Sequence, residues 1–187
     1  MNFISPVYED RSRRAFLRAL AVGMPGVVLC HGMALAARDT GERSLSFCHT
    51  HTGERLSIAY FKSGRYLADA CQKLNLLLRD FRNDKVRGID VRLLDLLSEI
   101  SRSLSPEGTF EIISGYRSPE TNAALHQKGR GVASQSLHMQ GKAVDVRLPG
   151  VSLARLRSAA LALGGGGVGY YPQSGFVHLD TGPVRQW

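Results

Sequence analysis

No stretch of this 187-residue sequence is apolar for long enough to cross a bilayer. A crossing needs about 20 consecutive apolar residues, and the best candidate, Ala19 to Leu35, is broken by Gly23, Pro25, Gly26, His31 and Gly32. Cysteine is scarce too: Cys30, Cys48 and Cys71 have no companion His and Asn motif of the kind that activates a thiol nucleophile. Cys48 and Cys71 could pair only if their Cα atoms lie within about 7 Å, which spacing alone leaves open. Basic residues are scattered and show no interleaving with aromatics, so no nucleic-acid partner is expected. The glycine run Gly164 to Gly167 lacks the G-x-G-x-x-G setting that cradles phosphates.

What remains describes an ordinary folded protein. The chain is 43% hydrophobic and 21% charged, enough apolar material for one domain's core. Its formal charge is +8, of which the first 36 residues carry +2. The remaining +6 suits an anionic polymer as partner.

Ser12-Arg-Arg-Ala-Phe-Leu-Arg18, followed by the broken apolar stretch and then by Ala34-Leu-Ala36, has the form of a twin-arginine export signal with a small-x-small cleavage site. Cleavage after Ala36 would leave residues 37–187 as a single domain with no integral membrane segment, delivered to the periplasm. Cys30 would leave with the leader.

Periodicity outlines the domain. Ser44 to His49 and Arg55 to Phe61 read as a hairpin around Gly53. Tyr66 to Arg82 and Asp90 to Leu104 carry apolar residues at three- and four-residue steps, which predicts two helices, the second closed by Ser105-Pro106. Thr109 to Ser114 is a short strand, and Ser118-Pro119-Glu120 opens a helix running to about Gln127. A strand over Lys142 to Leu148, a helix from Ser152 through Leu163, and strands at Val168 to Tyr171 and Phe176 to Asp180 complete the pattern. This order predicts an α+β fold with a small, mainly antiparallel sheet backed by helices.

The chemistry concentrates in Ser136-Leu-His-Met-Gln-Gly-Lys-Ala-Val-Asp145 and Phe176-Val-His-Leu-Asp180. His138, Asp145 and His178 offer two imidazoles and a carboxylate, all donors that shed a proton near neutral pH. Three such donors suit an open catalytic zinc site with one position left for water. Gly141 turns the chain between a loop carrying His138 and a strand carrying Asp145. His49-Thr-His51 also places two imidazoles on one strand face, but the Thr-Gly-Glu that follows reads as turn chemistry.

The spacing Ser-x-His-x-x-Gly-x-Ala-x-Asp resembles the metal motif of the M15 and hedgehog-like zinc D,D-peptidases, which act on peptidoglycan. Ser114-Gly-Tyr-Arg-Ser-Pro-Glu-Thr-Asn122 resembles the family's arginine segment, and Phe176 to Gly182 its second histidine segment. The resemblance covers roughly residues 43 to 187 and implies a zinc-dependent murein peptidase with His138, Asp145 and His178 as ligands. It also implies that Arg117 binds a substrate carboxylate or the developing oxyanion, and that Ser136 helps orient the metal loop or the substrate. An endopeptidase acting on cross-links is the leading expectation. A D,D-carboxypeptidase and a non-catalytic wall-binding protein with a structural metal are the alternatives. Many relatives carry Glu or His two or three residues before the second metal histidine, where this chain has Phe176 and Gly175. That departure leaves Asp180 as the candidate general base, or else as the partner that holds His178 in one tautomer.

Overall fold

The computed structural model describes residues 41–187 apart from residues 106, 130 and 131. The export signal and its cleavage site lie outside the described residues, as does Pro106.

Among the described residues the elements are β1 (Arg43–His49), β2 (Arg55–Lys62), β3 (Arg65–Tyr66), α1 (Ala68–Leu77), α2 (Val91–Leu104), β4 (Thr109–Ser114), α3 (Pro119–Gln127), a 3-10 turn at Leu137–Gln140, β5 (Ala143–Arg147), α4 (Leu153–Leu163), β6 (Gly167–Tyr171), β7 (Phe176–Asp180) and β8 (Arg185–Gln186). The strands form one eight-stranded sheet in the order β3-β2-β1-β4-β5-β7-β6-β8. Every joint is antiparallel except β1 with β4 and β6 with β8. The fold is α+β, as the alternation of patterns predicted.

One face of this sheet carries the core. Leu45 and Phe47 of β1, Phe110 and Ile112 of β4, Val144 and Val146 of β5, and Val177 and Leu179 of β7 are all buried and belong to one apolar cluster. α1 packs against β2, α2 against β1, and α4 against β6 and β7. Each fully buried Leu, Ile or Phe there contributes about 1.5–3 kcal/mol of transfer free energy. Because strand side chains alternate faces, the residues between these core positions, Asp145 on β5 and His178 on β7, point to the opposite side.

The hairpin β1–β2 forms where it was expected, and Ser118 caps α3 by accepting the Thr121 N–H at 3.2 Å. α1 is shorter than the Tyr66-to-Arg82 periodicity predicted. At its start, Tyr66 pairs with Phe61 across β2 and β3, and its hydroxyl donates to Asp95 at 2.6 Å. At its end, the Leu78 carbonyl accepts the N–H of Tyr116 at 2.7 Å and so is taken by a distant part of the chain. The segment beyond then folds around the buried carboxylate of Asp80, which accepts the N–H groups of Arg82 and Ser118. Cys48 and Cys71 are both free thiols.

His49 and His51 are packing residues. His51 stacks on Phe81 with ring centroids 4.2 Å apart, and His49 meets the same ring edge-on at 5.3 Å. His49 is fully buried, and its Nε2 has no hydrogen-bond partner. Burial, reinforced by His51, Arg79 and Arg82 and opposed by Glu54, pushes its pKa down to about 4. The unfolded chain therefore takes up a proton on His49 near pH 6.5, while the folded chain takes it up only near pH 4. Stability should fall as pH drops through that window, by up to about 3 kcal/mol. Urea unfolding at a series of pH values should show this acid limb flattened in His49→Leu. An unchanged slope in the variant would remove His49 as its source.

Candidate metal centre

Gly141 makes the central turn. Its φ is +68°, and an added Cβ would collide with the Gly88 carbonyl, so glycine alone fits here. Just before it, the 3-10 turn is capped by Ser136, whose hydroxyl accepts the His138 N–H at 3.3 Å. His138 therefore sits on a short, hydrogen-bonded 3-10 turn where a loop was expected. Just after it, β5 presents Asp145, which lies directly across the ladder from His178 of β7. Sequence neighbours and a strand 33 residues downstream thus meet at one point.

The three donors converge closely. His138 Nε2 lies 3.2 Å from His178 Nδ1 and 3.3 Å from Asp145 Oδ1, and His178 Nδ1 lies 2.9 Å from the same oxygen. Ligands about 2.0–2.1 Å from a tetrahedral ion sit about 3.3 Å from one another. Two of the separations match that figure, and the third, between His178 and Asp145, is shorter. Among the described residues this is the only such group of His, Cys, Asp and Glu.

The outer nitrogens decide what the inner ones can do. His138 Nδ1 lies 2.7 Å from the Gly115 carbonyl oxygen, which can only accept, so Nδ1 carries the proton and Nε2 presents a lone pair inward. His178 Nε2 lies 3.1 Å from Asp180 Oδ2 and donates to it, leaving Nδ1 as the inward lone pair. Two lone pairs and a carboxylate facing one another repel unless a proton or a cation lies among them. The donor set therefore fits a divalent metal.

The electrostatics are consistent with that. Burial by itself would raise the Asp145 pKa, but the imidazoles of His138 and His178 overcome it and hold the carboxyl well below the usual range. Burial lowers the His178 pKa, yet the carboxylates of Asp145 and Asp180 on either side of the ring favour its protonated form and raise it above its ordinary value.

Asp180 is completely buried and accepts from five donors. Oδ1 takes the N–H groups of Gly167 and Gly182 and one Arg185 nitrogen; Oδ2 takes His178 Nε2 and the other Arg185 nitrogen. Burial would raise its pKa, but these bonds, led by that from His178, hold it well below the carboxylate range. It approaches the far side of the His178 ring, away from Asp145.

Arg117 sits in the loop between β4 and α3, 8% exposed, with an Nη2 3.8 Å from Asp145 Oδ2 and a long 3.4 Å bond from Nη1 to Asn122. Its Nε is buried without a partner. Burial lowers its pKa against the pull of Asp145, but a guanidinium stays charged. Arg117, Ser136, His138, Asp145 and His178 all line one groove of about 480 Å³.

The family model described as peptidoglycan L,D-endopeptidase MepK, of the M15 peptidases, matches residues 37–187. The chain belongs to this family. Two MepK relatives illustrate the distance. The peptidoglycan L,D-endopeptidase MepK of Escherichia coli strain K12 is 38% identical over 178 residues, covering 95% of this chain and 98% of that protein. The probable peptidoglycan L,D-endopeptidase MepK of Haemophilus influenzae is 39% identical over 182 residues, covering 96% and 97%.

Around this site the structure adds residues that the motifs did not single out. The Gly115 carbonyl fixes His138, Arg185 secures Asp180, and Tyr171, Phe176 and Trp187 form one wall of the groove. Alternation along β7 puts Phe176 on the face of His178 and Asp180, so that residue had a detectable signal. Arg185 and Trp187 had none, because β8 is only two residues long and Trp187 lies just beyond it.

Alanine at His138, Asp145 or His178 should each reduce bound zinc in the purified protein to well under half an equivalent, since two donors hold the ion poorly. Elemental analysis after exhaustive dialysis measures it. One zinc per chain retained in all three variants would contradict the ligand assignment.

Proposed function

We propose that this chain is a periplasmic, zinc-dependent peptidoglycan L,D-endopeptidase that opens peptide cross-links during wall remodelling. The observation that carries the reading is the His138–Asp145–His178 cluster lining a groove beside the buried, incompletely paired Arg117. Full-length similarity to relatives bearing the L,D-endopeptidase name supports that bond specificity over the D,D-carboxypeptidase alternative.

His138, Asp145 and His178 would hold the metal. Bound there, zinc supplies Lewis-acid activation of water and of the scissile carbonyl. The chain's own residues do the rest. The Gly115 carbonyl and Asp180 hold the two imidazoles in the tautomers that face the centre. Arg117 offers fixed N–H donors and a permanent charge in a site largely shielded from water, where negative charge developing on a substrate oxygen is stabilised most. Ser136 caps the turn through its oxygen, and from its place on the groove its O–H would donate to a substrate oxygen.

Asp180 acts in this scheme as a positioning residue. A general base works best with a pKa near the operating pH, and five donors together with a depressed pKa make this carboxylate a poor one. Asp180→Asn should therefore weaken zinc affinity and lower turnover together, by about 10 to 100-fold. Full zinc occupancy with turnover down by about 10³ or more would instead make Asp180 the base. Both quantities are read on one preparation, using cross-linked muropeptides whose products are identified by mass.

Export by the twin-arginine route is part of the same proposal, supported by Ser12 to Arg18 and by Ala34-Leu-Ala36. Replacing Arg13 and Arg14 together with lysine should leave unprocessed precursor in the cytoplasm on fractionation and immunoblotting. Normal processing of that double variant would reject the route.

A further inference from the structure

One wall of the groove is aromatic and takes no part in the metal centre. Tyr171 of β6 stacks on Phe176 of β7 with centroids 4.8 Å apart, and the indole of Trp187 lies 5.3 Å from the His178 ring. All three line the groove that contains His138, Asp145 and His178. We propose that Trp187 is a specificity-determining residue that touches the substrate. Its indole is the surface against which the aliphatic part of a stem-peptide residue packs beside the cleaved bond. The proposal rests on the peptidase reading above.

The indole is held firmly without being hidden. The Trp187 N–H donates to the Val168 carbonyl at 3.2 Å, and its own carbonyl accepts from Tyr170 at 3.0 Å, so the backbone is bonded to β6 on both sides. Nε1–H donates to the Tyr171 hydroxyl at 2.7 Å. The Arg185 guanidinium, itself bound to Asp180, lies 4.9 Å from the ring. Gly169 allows the approach, since a Cβ there would come within 2.7 Å of the indole. Even so, 47% of Trp187 stays exposed.

A tryptophan is on average mostly removed from water, and about half of this one is not. Here backbone, ring nitrogen and neighbouring cation all hold it while leaving part of it open. Such preorganisation favours binding, because little rotamer freedom remains to be lost when a ligand packs on the ring. The groove therefore has two chemistries. Arg117 and Ser136 supply donors for peptide oxygens, while Trp187, Tyr171 and Phe176 supply an apolar wall. A peptide whose backbone crosses His178 brings a side chain against the indole.

The chain contains a single tryptophan, so intrinsic fluorescence reports on this ring directly. Titrating the zinc-loaded protein with the uncross-linked stem peptide that cleavage would release should change tryptophan emission saturably. Trp187→Ala should raise KM for cross-linked muropeptide about 10 to 100-fold with kcat within about threefold of wild type, the pattern of lost binding shared by ground and transition states. Zinc content should hold with only a modest fall in Tm, and Trp187→Phe should recover most of the affinity. Emission unmoved at peptide concentrations that inhibit turnover would overturn the proposal, as would an unchanged KM in Trp187→Ala. If the wild-type protein cleaves no muropeptide, the proposed reaction fails on its own account. The emission titration then still decides whether the peptide meets Trp187.

Discussion

The register between β5 and β7 is the constraint on which the site depends. It sets Asp145 opposite His178 on the face away from the core, while Val144 with Leu179 and Val146 with Val177 pair on the apolar face. A slip of one residue in either strand would reverse that strand's side chains, driving its carboxylate or imidazole into the helices and its apolar residues into the groove. The burial of the valines and Leu179 therefore enforces the meeting of the polar pair. Packing on one side of the sheet does the positioning for chemistry on the other.

The same centre concentrates charge that burial would otherwise penalise. A buried ionised group is tolerated only when it is paired and hydrogen-bonded. Asp180 meets that condition completely, through two backbone N–H groups, a bidentate arginine and an imidazole. Arg117 meets it only partly, with a distant carboxylate, a long bond to Asn122 and an unpartnered Nε. The contrast separates their roles. The saturated group has no capacity left for a reacting molecule and rigidifies what it touches, whereas the unsaturated one gains most when a substrate oxygen arrives.

Much of the fold was legible because the chain's local signals agree with its tertiary packing. β4, α3 and β7 fall on the predicted residues, since each is bounded by strong punctuation or strict alternation. α1 was overestimated at both ends. Its apolar period runs on past Leu78, but the carbonyl that would continue the helix is bonded to Tyr116, 38 residues away, and no local pattern carries that competition. β3 and β8 were invisible because two residues make no period, and what holds them comes from partner strands and from distant side chains such as Asp95 and Asp180.

The sequence by itself determined the donors: two histidines and an aspartate in a recognisable spacing, an arginine ahead of a capped helix, and the alternation that puts Phe176, His178 and Asp180 on one face. These follow from residue type and strand period, which are local properties. Tertiary structure alone decided which nitrogen of each imidazole faces the centre, because the Gly115 carbonyl and Asp180 come from elsewhere in the chain. It also decided that Asp180 is enclosed by Gly167, Gly182 and Arg185 and that Trp187 stands over the groove. Hydrogen-bond saturation and enclosure are sums over distant neighbours, and they exist only once the sheet has brought those neighbours together.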